Sequence, residues 1–319
     1  MPKLAALAAV LAVATSAGCG GGTSEPSARE APEAAQFPAA DGKTIDQILA
    51  EAEPAETVVT PVGQVFDEGA NRYGFGVFGL DRTQILDAEV AMYFAPSPDG
   101  PVTGPLPAQV ESLETKPAFA AMTTYQDDDS AKAVYVVPRV DFDREGEWIG
   151  VALIRSDDGF EAARVPSPVV GQFPQVPKVG EPAPRIETPT AASVGGDLSK
   201  IDTRVPPTDM HADFSTVVGK KPVALVFATP QLCQSRVCGP VVDVQAQVQA
   251  ELGDAAEFIH MEIFEGNDPS KGVRPQVREF NLPSEPWLFV VDADGVIQTR
   301  IEGAFGLGEL RQAVQRVSG

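Results

Sequence analysis

Basic residues are scarce in this chain. Its 319 residues carry 24 Lys and Arg against 45 Asp and Glu, for a formal net charge of −21. No basic face can be built from so few cations among so many acids. This excludes recognition of a phosphate backbone, and with it a nucleic-acid partner. Acidity of this degree favours solubility and repels anionic headgroups, but it says little about fold. Long apolar runs are scarce as well. The one at residues 4–13 is too short and too rich in alanine to stay in a membrane as a spanning helix. Histidine occurs only at His211 and His260, and cysteine only at Cys19, Cys233 and Cys238. In residues 57–171 there is no histidine and no titratable cluster, so that region is assigned no chemistry.

What is present begins with Met1, Pro2 and Lys3, the short apolar run, and small residues up to Gly18. Together they read as a secretory signal over residues 1–18. Ser16-Ala17-Gly18-Cys19 resembles the lipobox of bacterial lipoproteins, with Ser16 where that family usually has Leu. The resemblance implies cleavage before Cys19 and acylation of its thiol. The expectation is therefore an extracytoplasmic protein, held on the cell membrane by a lipid. Residues 19–56 are rich in Ser, Pro, Ala and Glu and read as a flexible tether, with a short helix at 44–51. If the lipid takes one sulfur, Cys233 and Cys238 remain as the only two thiols, in an oxidising compartment. Neither has another partner inside the protein, so they are read as a pair.

From residue 57 the pattern becomes short apolar or alternating runs divided by Gly, Pro and Asp, at 58–66, 73–80, 89–94, 118–122, 133–137, 147–154 and 160–165. Seven such runs predict an antiparallel β-sandwich over 57–171. The alternation from Val140 to Trp148, with a tight turn before an inward Trp, resembles the late strands of immunoglobulin-like and fibronectin-like domains. Spacing or partner contact is the role expected of this domain. Residues 172–185 are Pro-rich and extended, and read as a hinge. In 186–319 strands and helices alternate. A buried strand spans 223–227, and Val241, Val244, Val248 and Leu252 form one helical stripe. Strands follow at 258–263, 287–291 and 296–301, with a short helix at 273–280 and a last amphipathic helix through Leu307, Leu310, Val314 and Val317.

That order, with the cysteines between the first strand and first helix, resembles thioredoxin. Val179-Gly180-Glu181-Pro182-Ala183-Pro184 and the Gly219–Lys220 approach to the strand resemble the TlpA-like redoxins and peroxiredoxins. The resemblance covers about 140 residues and implies an α/β thioredoxin-like C-terminal domain. It also implies a cis-proline at Pro286 facing the cysteines. Four residues separate Cys233 from Cys238, where thioredoxins have two. Leu232 replaces the usual Trp, and Val226 stands where many thioredoxins bury an acid. Glu285 would oppose thiolate formation, whereas Arg236 would favour it.

On a helix, residues five apart lie roughly 8–9 Å apart at Cα, too far for a disulfide. A bond between these sulfurs therefore needs non-helical chain between them. If the helix starts near Pro240 the pair closes without unwinding. If it starts near Cys233, a turn must melt, as in peroxiredoxins of the Q type. The resemblance makes the chain a thiol–disulfide oxidoreductase acting on protein thiols or disulfides. Cys233 would attack and Cys238 resolve, while the register Cys238-Gly239-Pro240 would reverse the roles. One alternative is a peroxiredoxin Q-like peroxidase, for which Thr229 sits one step out of register. Another is a cell-surface binding protein in which the pair is a structural staple. Copper(I) held by the thiols with His260 and Met261 is disfavoured, because alternation puts those two side chains on opposite faces of a strand. No resident metal or cofactor is expected.

Overall fold

The computed structural model of the chain describes residues 28–125 and 130–319. The expected signal and Cys19 lie outside the described residues. Among the described residues no helix is long and apolar enough to cross a membrane.

The first half is built from strands β1 (Glu53–Pro54), β2 (Thr57–Pro61), β3 (Gly69–Gly79), β4 (Val90–Ala95), β5 (Thr103–Pro107), β6 (Gln109–Ser112), β7 (Ala133–Phe142), β8 (Gly146–Glu147), β9 (Ile149–Ser156), β10 (Gly159–Val165) and β11 (Val169–Val170). They form a five-stranded sheet in the order β1-β10-β9-β4-β5, a four-stranded sheet in the order β2-β3-β7-β6, and a small β8–β11 ribbon. Tyr73, Phe75 and Val77 of β3 and Tyr135 and Val137 of β7 meet Met92 and Phe94 of β4 and Ala152 of β9 between the sheets. This face-to-face packing is what alternating runs produce. Trp148 is buried there, as its pattern predicted. The run at 118–122 is not a strand. It turns into a short helix, α2 (Met122–Tyr125), because Ala121 N–H donates to the buried Asp243 carboxylate of the second half.

Residues 28–56 are not the free tether expected. Arg29 exchanges backbone hydrogen bonds with Val110, and β1 pairs with β10. The predicted helix appears as α1 (Ile45–Leu49), with Thr44 closing a capping box with Gln47. Phe37, Ile45 and Ile48 cover Tyr93, Val151 and Leu153 on the outer face of the five-stranded sheet. Few as they are, these apolar side chains supply what that face would otherwise leave wet.

The second half carries a four-stranded sheet in the order β13-β12-β14-β15: β13 (Glu257–Met261), β12 (Val223–Phe227), β14 (Trp287–Val291) and β15 (Ile297–Glu302). β12 and β13 are parallel, and the other pairs are antiparallel. α4 (Cys238–Leu252) and α6 (Leu307–Val317) cover one face, while α3 (Phe214–Val217) and α5 (Pro275–Glu279) lie on the other. The expected hinge at 172–185 is instead laid along β15. Gly180 donates to Ile297 O, Ile297 to Glu181 O, and Ala183 to Gly295 O, which satisfies an edge that would otherwise be open.

The two halves share a core. Val134 and Val136, on the face of β7 turned away from the sandwich interior, pack with Leu113 against the cluster formed by α4 and α6. Arg72 of β3 donates to both Glu309 carboxylate oxygens at 2.6 and 2.9 Å and to Ala304 O at 2.8 Å. Glu302 accepts from the Gln64 and Val65 amides. Gly303, at φ 78°, lies so close to Val62 O that a side chain there would collide with it.

Candidate active site

β12 is a continuous apolar run buried on both faces, and it ends at Phe227 beside Trp287 of β14. The chain leaves the sheet through Ala228, Thr229 and Pro230, then turns until Arg236, which takes a left-handed conformation at φ 58°. α4 begins at Cys238 itself, two residues before Pro240. Pro is tolerated there because amides of the first turn have no intrahelical acceptor. Cys233 therefore lies in a non-helical loop, and its disulfide to Cys238 spans 6.0 Å at Cα. In this disulfide-bonded form no helical turn lies between the two sulfurs.

The two sulfurs differ in access. Cys238 is wholly buried, in the cluster of Val226, Val241 and Val242. Cys233 is half-buried, with its sulfur 3.2 Å from Ser235 Oγ, and it lines an open cleft of about 370 Å³. The cleft is walled by Pro230, Gln231 and Arg236 of the loop and by Thr123 and Ser130 of the sandwich. The first domain thus reaches the cysteines. Ala131 N–H donates to Arg236 O, and α2 packs on α4 so closely that a methyl group on Gly239 would press on Thr124 Oγ1. Nothing in the sequence of 117–132 marks Thr123 or Ser130, because their role comes entirely from how the domains meet.

The Glu285–Pro286 bond is cis, at the start of β14 and next to the end of β12 that delivers the loop. Glu285 is half-buried, and burial raises its carboxyl above the ordinary range, which weakens the charge expected to oppose a thiolate. Thr229 is fully buried and is not among the residues that line the cleft with Cys233. Val226 is buried and apolar, so β12 offers no acid.

Polar groups lie beneath the loop all the same. On β13, His260 projects to the α4 side, whereas Met261 faces the opposite core. His260 is 2% exposed and far more enclosed than a half-buried strand residue. Its Nε2 lies 3.1 Å from Ala228 O, and its Nδ1 is 3.4 Å from Asp202 Oδ2. Asp202 also accepts from the Arg204 amide, the Thr208 amide and hydroxyl, and His211 Nε2. Glu262 accepts from the Thr203 amide and hydroxyl, and that hydroxyl accepts from the Gln231 amide at 3.2 Å. Side-chain oxygen and nitrogen atoms of Asp202, His260 and Glu262 lie within 4.8 Å of one another. The i, i+2 spacing of His260 and Glu262 was a legible signal of a shared face. The contribution from residues 202–211 was not.

A mixed sheet in the order β13-β12-β14-β15, helices on both faces, and a cysteine pair at the amino end of α4 define the C-terminal half as a thioredoxin-like domain. No protein-family model matches the chain, and no curated protein matches its sequence. Among solved structures it is similar to one from Chlorobium tepidum that bears the name thiol:disulfide interchange protein DsbE. The identity is 18%, over 45% of this chain and 99% of that one, with a TM-score of 0.31. A thioredoxin family protein from Chlorobium tepidum TLS, also named a thiol:disulfide interchange protein, shares 17% identity over 44% of this chain and 99% of its own, with a TM-score of 0.30. The ZirS C-terminal domain shares 11% over 46% and 85%, at 0.19. The fold assignment rests on strand order and helix placement, not on these scores.

Proposed function

We propose that this protein is a thiol–disulfide oxidoreductase acting outside the cytoplasm, anchored to the membrane by a lipid on Cys19, with Cys233 as the attacking and Cys238 as the resolving residue. The observation that carries the assignment is the asymmetry of the pair. One sulfur lines an open cleft, and the other is sealed at the first residue of a fifteen-residue helix, 6.0 Å away at Cα. Starting from the dithiol, the Cys233 thiolate attacks a client disulfide, a mixed disulfide forms, and one client thiolate leaves. Cys238, having lost its proton, then attacks the Cys233 sulfur and expels the second client thiolate. The client gains two electrons and this protein loses them. The reverse sequence oxidises a client dithiol. The helix amino terminus stabilises negative charge on sulfur in either direction.

The client is a polypeptide that presents its sulfur on an extended segment. A cleft with walls on two domains admits a single strand more readily than a folded surface. A hydroxyl and a side-chain amide at its rim, on Ser130 and Gln231, suit backbone hydrogen bonding. This gives the first domain a part in client recognition in addition to spacing. A peroxidase is not favoured, because Thr229 lies buried outside the cleft.

The test is trapping. The Cys238→Ser variant should accumulate mixed disulfides with extracytoplasmic proteins, visible on non-reducing gels and abolished by dithiothreitol. Cys233→Ser should trap none. Adducts on Cys233→Ser alone would reverse the roles, and none on either variant would leave the disulfide a staple.

A further inference from the structure

The buried group beneath the cysteine loop has a charge problem that a doubly protonated His260 solves. Ala228 O can only accept, so His260 Nε2 must carry a proton. A neutral ring would then leave a bare Nδ1 beside the Asp202 carboxylate 3.4 Å away, inside protein that is 0% exposed at both side chains. Such a contact is repulsive in a low dielectric. With a proton on both nitrogens, His260 becomes a cation placed between Asp202 and Glu262. Arg274 acts on Glu262 through its charge, His211 donates Nε2–H to Asp202, and Arg204 is paired separately with Asp243 of α4. His260 thereby supplies a cation to Asp202 and Glu262, while the charge of Arg274 is shared between Glu262 and Glu265. Burial alone would push the His260 pKa down, but the charge of Asp202, and then that of Glu262, outweigh it and the net shift is upward.

We propose that the His260 imidazolium and the Glu262–Thr203 pair form a charged clamp that positions the Cys233 loop. His260 grips Ala228 O, and Thr203 grips the Gln231 amide. These two points bracket Thr229 and Pro230, the residues that carry the chain from the sheet to Cys233. The clamp enters from β13, where His260 is the register partner of the apolar Val226. His260 and Thr203 are positioning residues, since they hold the backbone at Ala228 and Gln231 and act on the sulfur through it. This inference rests on the redox reading of the cysteines.

The test uses the full chain with its disulfide reduced, and an aryl disulfide as chromogenic probe. Nitrogen-15 NMR of the histidine side chains should show His260 protonated at both nitrogens at pH 7. His260→Gln keeps a donor for Ala228 O without the charge, and should slow reaction of Cys233 by about tenfold, the scale of a charge-assisted hydrogen bond. Thr203→Val should slow it similarly while leaving the His260 signature in place, and Thr203→Ser should restore it. The wild-type rate, corrected for thiolate fraction, should fall as pH rises through the His260 titration, above the ordinary histidine value of about 6.5. The proposal is overturned if Nδ1 is bare. It is also overturned if the purified protein holds a stoichiometric divalent metal on that nitrogen, or if both slow variants react at the wild-type rate. A wild-type protein that neither reacts nor traps adducts would instead remove the redox reading, and the NMR result would still decide the charge of His260.

Discussion

Replacing Arg72 by Met tests whether the two domains stand or fall together. The guanidinium sits on β3 of the sandwich and makes three hydrogen bonds into the second half, two to Glu309 and one to Ala304 O. Both charged side chains are only 14% exposed. Met preserves the packed stem and removes the charge, which strands Glu309 beside Glu111 with no cation between them. Removing one partner of a desolvated pair costs about 3–5 kcal/mol, and partial exposure puts this case near 3. With an m-value of roughly 3 kcal/mol/M in urea, the unfolding midpoint should drop by about 1 M. The two tryptophans allow each domain to be read separately, because Trp148 lies in the sandwich core and Trp287 on the central sheet of the second domain. Single-Trp variants made with Trp148→Phe or Trp287→Phe should unfold at one shared midpoint in the parent chain. The Arg72 change should lower the midpoint seen by both probes or separate the two. Two well-separated transitions in the parent, or no movement in either probe, would refute the shared core.

Two further outcomes follow from the same interface and cleft. Glu111 has its pKa pushed up to about 7 by burial and then by Glu309, against the pull of Arg72 and Gln109. A carboxyl raised in the fold is neutral there while the unfolded chain already ionises, so stability is lost as pH rises from about 4.5 to 7. Glu111→Gln should therefore raise stability at pH 8 by up to about 3 kcal/mol and change little at pH 4, as measured by thermal melts at both pH values. Ser130→Trp places a large ring in the cleft beside Cys233. It should slow exchange with an unfolded disulfide-containing protein at least about tenfold while leaving the reduction potential in a dithiothreitol buffer unchanged, and equal rates would remove the sandwich from client recognition.

Much of the arrangement was legible in the residues because it depends on local pattern. The continuous run Val223–Phe227 with its following helical stripe, the strands at 287–291 and 296–301 and the final amphipathic helix each need only their own spacing to be read, and together they specify the strand and helix order. The cysteine pair was legible by count, and its need for a non-helical loop by helix geometry. The runs 90–95 and 133–137 carried a signal that went unused. Strands apolar at every position are buried on both faces, and here the second faces are covered by residues 37–48 and by α4 and α6.

What the chain determined alone, then, was the set of elements and the presence of two sulfurs that can meet, since periodicity and chain geometry act over a few residues. Tertiary structure decided the rest, by bringing distant segments together. It seated supposed spacer segments on open sheet faces and edges, because exposed apolar surface and unpaired amides are costly. It put Thr123 and Ser130 at the cysteine cleft, and it gathered Asp202, His211, His260 and Glu262 under the loop. Charge balance in a buried space depends on every neighbour at once, and sequence spacing carries no record of neighbours fifty residues away.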